Sequence, residues 1–367
     1  MGKRKRSLEN MVIDNSFWAG RRVFLTGHTG FKGGWLALWL HRLGAEVHGL
    51  SLAPSSLPCL FENAGVEKVL AGSTLADIQD YPILESVLKK ANPEIIFHLA
   101  AQPLVRASYR EPSKTLAVNV MGTTNLLEAA RQLGGLRAML VITTDKCYEN
   151  HEWVYPYREN DPLGGHDPYS ASKACAEIVV ASYRASFFDR KGGAAIATAR
   201  AGNVIGGGDW AEDRLVPDCI RGFTNNQKVE LRYPAAVRPW QHVLEPLSGY
   251  LMLAEALCGE DSPDFAEAWN FGPDASGDAT VGEIAHRIAK YWGQGKIVLP
   301  SAASKQPHEA GLLRLDITKA RNHLHWKPHW SIDRALEETV GWYKAWYSGK
   351  DMHTHTLNQI DSFTGEN

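Results

Sequence analysis

The sequence predicts an α/β protein built on a doubly wound parallel sheet, with a smaller domain at its C-terminal end. Three observations predict it. Short apolar runs alternate with helix-length stretches through residue 200, the pattern of βαβ units. The runs are almost continuously apolar, as strands are when helices cover both faces of a sheet. The first run ends in a glycine-rich turn that opens a helix.

Residues 22–26 read as the first strand, and 31–43, with apolar residues at helical spacing, as the first helix. Residues 46–50 form a second strand. The helix predicted over 81–91 leads into a nearly all-apolar strand at 94–99. Residues 118–133 are helical, 138–143 a strand, 170–188 a long helix and 194–200 a further strand. After Ala201 glycine, proline and tryptophan become frequent, and only 281–291 and 332–346 read as helices. The expected division is a basic tail over residues 1–16, a first domain over 17–200 and a loop-rich domain over 201–367. The last covers the strand ends of the first, with parts near 238–275 returning to the first domain. No internal repeat or low-complexity tract is evident.

The 367 residues carry 39 basic and 41 acidic side chains, a net charge of -2, with a pI near 6.7. That balance argues against a general nucleic-acid binder, which shows a basic footprint, but leaves small anionic ligands open. With 22% charged and 44% hydrophobic residues the composition is globular. The five cysteines (59, 147, 175, 219 and 258) contain no C-x-x-C. A disulfide framework or zinc ribbon is therefore not expected, and a reducing compartment fits better. No apolar run reaches the ~18 residues of a membrane span. The basic first residues lead into Ser-Leu-Glu-Asn, not the apolar stretch of a secretory signal. A cytoplasmic protein is expected. The histidines form no H-E-x-x-H pattern, so no metal is expected.

The turn at 26–33 places glycines at 27, 30 and 33. It follows a strand and opens a helix, the context in which such glycines hold a dinucleotide. Gly27 permits a tight turn, Gly30 lets the backbone approach a pyrophosphate, and Gly33 lets the helix pack on the strand. The helix N-terminus adds unbonded N–H groups and a positive dipole end. The sheet is thus expected to be Rossmann-type. An acid usually stands about 20 residues on, holding the adenosine ribose. Here Ser51 occupies the end of the second strand without an acid, and no Arg or Lys follows until Lys68. Nothing nearby would neutralise a 2′-phosphate, so NAD is expected rather than NADP.

Tyr169 and Lys173 form a Y-x-x-x-K pair, placing a phenol and an ammonium on one helical face. The phenol can act as acid or base on a hydroxyl, and neighbouring positive charge would lower its pKa from about 10 toward working pH. Thr144, Asp145 and Lys146 follow the strand at 138–143, and parallel sheets place ligands at strand C-termini. Thr144 can hold the reacting hydroxyl. Asp145 and Lys146 add an acid and a base, which points to elimination: one group removes a proton and the other protonates a leaving hydroxyl. The alternatives are a surface ion pair at 145–146 and an ordinary exposed pair at 169 and 173. Adjacent strand residues point to opposite faces, so a bend must turn Asp145 and Lys146 inward together.

The G-x-x-G-x-x-G spacing resembles the extended branch of the short-chain dehydrogenase/reductase superfamily. The segments 17–33, 98–106, 144–148, 167–173, 200–210, 238–243, 269–273 and 307–310 together resemble its nucleotide-sugar 4,6-dehydratases. The likeness runs from about residue 17 to 346. The Asp145-Lys146 pair resembles the CDP-glucose branch, since the dTDP-glucose branch usually carries Asp-Glu. The basic N-terminal extension departs from the pattern.

The resemblance implies a hydro-lyase with internal redox, converting CDP-glucose to CDP-4-keto-6-deoxyglucose with NAD. Tyr169 would take the C4 hydroxyl proton as hydride passes to NAD. Lys146 would take the C5 proton and Asp145 protonate the departing C6 hydroxyl before hydride returns to C6. Thr144 and Lys173 complete the catalytic set. For the cofactor it implies Gly27, His28, Gly30, Phe31, Lys32, Gly33, Ser51, Asp77, Ile78, Leu99, Ala100, Ala101, Gln102 and Asn119, with Tyr169 and Lys173. For the substrate it implies Gln102, Arg106, Asn203, Arg238, His308 and Glu309. Trp210 and Trp240 could stack on a base, although twelve tryptophans are mostly core material. A homo-oligomer (dimer or tetramer) paired through the Tyr169 helix is implied, as is a downstream dideoxysugar for lipopolysaccharide O-antigen. A dehydratase for another nucleotide-glucose stays open. So does a nucleotide-sugar epimerase or C4 reductase, which would not need Asp145 and Lys146. A non-catalytic NAD-sensing binder would typically have lost Tyr169 or Lys173.

Overall fold

The computed structural model describes residues 13–188, 193–274, 278–299 and 311–365. Strand β1 (Arg22–Thr26), helix α1 (Phe31–Arg42) and strand β2 (Glu46–Ser51) form the first βαβ unit. Strand β3 (Gly72–Leu75), helix α2 (Tyr81–Ala91) and strand β4 (Ile95–His98) follow. Helix α3 (Gly122–Ala130) leads to β5 (Ala138–Ile142), and helix α4 (Pro168–Tyr183) to β6 (Ala195–Arg200). Helix α5 (Leu244–Leu257) precedes β7 (Ala268–Asn270). These strands make one parallel sheet in the order β7-β6-β5-β4-β1-β2-β3. The winding reverses between β1 and β4, the switch point beyond whose strand ends such sheets bind ligands.

Every residue of β4, β5 and β6 is buried. Strand alternation feeds two apolar layers. Val23, Leu25, Ile95, Phe97 and Leu140 enter one, and Phe24, Ile96, Met139, Val141 and Ile196 the other. Helix α5 is buried on nearly all sides and packs on β5 and β6, as a largely apolar helix must. Three short ladders follow β6 in the chain: 204–205 with 241–242, 237–239 with 278–280, and 228–230 with 296–298. The helix Val281–Trp292 opens with a Thr280/Glu283 capping box, and Ser331 caps Ile332–Tyr347.

Two helices differ from expectation. The helix read over 118–133 starts earlier, with a turn of helix at Pro112–Leu116, widens into a π-type turn at Ala117–Met121, and continues as α3 to Ala130. Helix α4 starts two residues before the expected 170, because Asp167 accepts from the Ser170 N–H and Pro168 suits the first turn. The expected basic tail also ends sooner. Residues 1–12 lie outside the described residues, but Asp14 caps a helical turn at Asn15–Trp18 that buries Trp18. Among the described residues no helix is long and apolar enough to cross a membrane, no trio of His, Cys, Asp or Glu is placed to hold a metal, and all five cysteines are unbridged.

Candidate active site

The glycine turn after β1 is built to exclude side chains. Gly27 has φ +81°. A Cβ there would stand 2.8 Å from the Ala100 nitrogen, and one on Gly33 would stand 2.1 Å from the Gly27 oxygen. Gly30 caps α1 without a side chain, so the first N–H groups of the helix remain available to an anion. The Thr26 hydroxyl accepts from the Leu99 and Ala100 N–H groups at 3.1 Å and donates to His98 Nδ1 at 2.7 Å. His98 Nε2 in turn donates to Thr123 Oγ1 at 2.9 Å, and Thr123 donates to the Asn119 carbonyl. This chain of donors suits a neutral ring, and burial lowers the His98 pKa to about 3.

His28 does not line the cleft. Its ring is fully buried, 2.9 Å from Ser73 Oγ and edge-on to Phe61, and burial lowers its pKa to about 4. The ring occupies space that a side chain at Gly49 would need, so it fills the gap over β2 and β3. Asn119 also lies behind the wall. Its amide accepts from Gln102 N–H at 2.8 Å and donates to Ser172 Oγ at 2.8 Å. It thereby ties the loop after β4 to α4.

A cleft of about 1270 Å³ lies over the strand ends. Gly27, Gly30, Phe31, Lys32 and Gly33 line it from the turn, with Ser51, Asp77 and Ile78 beyond β2 and β3. The loop after β4 contributes Leu99, Ala100, Ala101, Gln102 and Arg106. The Ser51 hydroxyl is bonded to Thr29 at 2.7 Å, and the Gln102 amide is spent on Thr115 and on Leu104 N–H. Arg106 reaches Asp213 at 3.6 Å.

Thr144, Asp145, Lys146, Tyr169 and Lys173 all line the same cleft. After β5 the chain leaves strand geometry at once: Thr144 caps a 3₁₀ turn over Asp145–Cys147. That turn is the required bend, and it brings both side chains to one cavity. Cys147 packs beneath it with Tyr148, Tyr157 and Leu313. Burial pushes the Tyr169 phenol up to about 12, against the opposing effect of its hydrogen bond with Thr144. The expected lowering is absent because burial outweighs the positive charge of nearby Arg214, which acts in the lowering direction. Lys173 Nζ donates to the Ile142 carbonyl at 3.1 Å, and burial lowers its pKa to about 8. Burial likewise lowers Lys32 to about 8, with the Arg214 charge adding to the effect.

Under this floor Glu177, one turn beyond Lys173, pairs with Arg200 at 2.9 Å, both 3% exposed. Thr143 and Thr198 also donate to Glu177, and Arg200 donates to the Tyr148 hydroxyl. Tyr148 donates to Asn270 Oδ1 at 2.7 Å, so the network spans β5, β6 and β7.

On the opposite wall lie Asn203 and Arg238. Asn203 has φ +42° and a buried Nδ2 without a partner. Arg238 is buried and donates to the Val237 and Gly311 carbonyls. Trp210 and Trp240 reach the cleft but are held in packing, Trp210 against Tyr343 and Trp346, and Trp240 by a bond to the Ala279 carbonyl. His308 and Glu309 lie outside the described residues. Sequence reasoning missed Arg214, which lines the cleft, pairs with Asp209 at 2.8 Å and faces Tyr169 and Lys32. Only Asp209, in the glycine-rich run at 206–210, hinted at it.

Comparison with known proteins then narrows the chemistry. A family model described as GDP-mannose 4,6 dehydratase matches residues 24–339. The chain belongs to this dehydratase family. It is 48% identical over 96% of its length to the CDP-glucose 4,6-dehydratase of Salmonella typhimurium, covering 98% of that protein. It is 27% identical to the dTDP-glucose 4,6-dehydratase of Streptomyces antibioticus, over 74% of this chain and 76% of that one. The fold is shared with UDP-glucose 4-epimerase from Thermotoga maritima, at a TM-score of 0.74 and 23% identity, covering 89% of this chain and 99% of that one. This dehydratase is therefore a hydro-lyase of the nucleotide-sugar 4,6-dehydratase group, within the extended short-chain dehydrogenase/reductase superfamily.

Proposed function

We propose that this dehydratase converts CDP-glucose to CDP-4-keto-6-deoxyglucose with NAD. The observation that carries the reading is the meeting of Asp145 and Lys146 with Tyr169 and Lys173 in one cleft. An epimerase or reductase has no use for the first two. The identity of 48% to a CDP-glucose 4,6-dehydratase supports the choice of nucleotide.

The residues present fit NAD. The turn at 27–33 leaves no room for a Cβ at Gly27 or Gly33, and the uncapped start of α1 suits a pyrophosphate. Phe31, Lys32, Ser51, Asp77, Ile78 and the 99–102 backbone surround the same end of the cleft. When bound, NAD would supply the hydride acceptor for C4, the hydride donor for C6, and a positive ring that would favour the Tyr169 phenolate. Tyr169 takes the proton of the 4-hydroxyl, which Thr144 orients. Lys173 holds the nicotinamide ribose. With a carbonyl at C4 the C5 proton becomes acidic, and Lys146 removes it. Asp145 donates a proton to the departing C6 hydroxyl, which leaves as water. Lys146 then returns its proton to C5. On the far wall Asn203 and Arg238 meet the diphosphate, the guanidinium bidentately, and Arg106 meets the sugar side.

The test is a panel of CDP-, dTDP-, UDP- and GDP-glucose with NAD, followed through the alkali-absorbing 4-keto-6-deoxy sugar. Turnover with CDP-glucose and little with the others is expected. Preferred turnover of another nucleotide overturns the choice of base. No keto sugar from any of them overturns dehydration. We also propose a homo-oligomer paired through α4 and the helical turns at 112–121. The supporting observation is exposed apolar surface there: Leu116 at 41%, Met121 at 53% and Ile178 at 58%. Light scattering that finds a monomer would remove this part.

A further inference from the structure

The acid of the proposed elimination stands in a confined space. Asp145 is 1% exposed. The Thr144 hydroxyl donates to Oδ1 at 2.9 Å, and Oδ2 has no partner. Oδ2 is thus a buried carboxylate oxygen whose surroundings are set by packing alone. The wall against it is Gly202, in the loop after β6. A Cβ on residue 202 would lie 1.8 Å from Oδ2, 2.3 Å from Cγ and 2.9 Å from Oδ1. All three lie under the 3.0 Å below which something must shift.

The backbones on both sides are held in place. Gln241 Nε2 donates to the Gly202 carbonyl at 3.3 Å and to the Phe271 carbonyl at 2.9 Å, and the Gln241 N–H donates to the Asn203 carbonyl at 3.3 Å. Asp145 is rooted in the 3₁₀ turn behind the Thr144 cap. Backbone conformation does not account for the glycine, because Gly202 is absent from the positive-φ glycines. What the position requires is empty space next to one carboxylate.

We propose that Gly202 is a positioning residue of the elimination: its missing side chain is the space in which the Asp145 carboxylate stands. The inference rests on the reading of Asp145 as the acid. A methyl group at 202 meets the Asp145 carboxylate before any atom of Tyr169 or Lys173, its three nearest neighbours all belonging to Asp145. It therefore uncouples loss of water from oxidation at C4. Position 202 decides between two outcomes on one scaffold, oxidation alone or oxidation followed by elimination.

The experiment compares wild type, Gly202→Ala, Asp145→Asn and the double variant, each saturated with NAD and CDP-glucose. Two signals are followed in a single turnover, the absorbance of reduced nicotinamide and the release of keto sugar. Gly202→Ala is expected to slow keto-sugar release by about 10²-fold, the lower range for losing a general acid. Reduced nicotinamide should still form at a rate within about twofold of wild type, and accumulate. In the Asp145→Asn background the same change should cost less than about twofold more. Equal slowing of both signals overturns the proposal, as does unimpaired release or an undiminished effect beside Asp145→Asn. If Gly202→Ala fails to fold, Gly202→Ala with Asp145→Gly removes the clash and must restore the thermal transition; a chain that stays unfolded overturns the proposal too. Normal elimination by Asp145→Asn alone removes the acid reading and this inference with it. Loss by Asp145→Asn with none by Gly202→Ala overturns this inference only.

Discussion

At Asp145 and Lys146 a single 3₁₀ turn replaces one more residue of strand. Side chains that a strand would splay to opposite faces both reach the cleft. Lys146→Ala is expected to abolish C5 solvent-deuterium exchange while reduced nicotinamide still forms; exchange at the wild-type rate would exclude Lys146 as the base. Beneath them, removing Glu177 strands the Arg200 guanidinium in a buried site. Glu177→Ala should cost about 3–5 kcal/mol in urea unfolding, the usual penalty for breaking a buried pair. A loss below about 1 kcal/mol would mean that Arg200 finds water or another partner. Tyr169, Lys173, Asp145 and Lys146 were legible in the sequence because motif and strand-end position mark them. Gly202 and Arg214 were not. They stand on loops that meet across the cleft, and no local spacing encodes that meeting. His28 misled for a related reason: it sits inside the motif, but its side chain turns behind the turn that the motif builds.

Among the elements, the junction of β1 with α1 sets the cofactor end of the cleft. A Cβ at residue 33 has only 2.1 Å to the Gly27 oxygen, so Gly33→Ala must lift the helix start away from the turn. We expect a stability loss of about 1–3 kcal/mol, typical of overpacking, and at least tenfold weaker NAD binding by calorimetry, about 1.4 kcal/mol. Unchanged affinity would place the pyrophosphate elsewhere. The central strands could be read because burial on both faces writes a continuous apolar run. Strand β3, Gly-Ser-Thr-Leu at the sheet edge and only half-buried, carries no such run. Helix α5 escaped for the opposite reason. It is buried on nearly every side, its few polar residues included, and a helix without an exposed polar face has no stripe to betray its period. The three residues of β7 are too few for any pattern.

For the molecule as a whole, acid is the sensitive direction. His28, His98 and His242 have pKa values lowered by burial to about 4, 3 and 3 from an ordinary 6.5. Each stays neutral in the fold but protonates in the unfolded chain. Stability from them is complete above pH 6.5 and is lost as pH falls toward those lower values. Between pH 7 and pH 5 each costs about 2 kcal/mol. Glu245 acts the other way. Burial raises it to about 7 from 4.5, so acidification returns about 2 kcal/mol over the same range. A net loss of about 3–4 kcal/mol is expected from urea unfolding at the two pH values. Equal stability at both would show that these rings are not buried as neutral groups.

The seventh strand has a consequence for how the chain is made. β6 ends at Arg200, and its neighbour β7 begins at Ala268. On the ribosome, six strands can therefore assemble while the edge of β6 still waits for its partner, and an unpaired edge is a template for wrong association. In that interval Tyr148 also lacks Asn270, the acceptor at the end of its polar chain. A nascent chain arrested between these strands would be a client for a chaperone, and release past Asn270 would end that dependence.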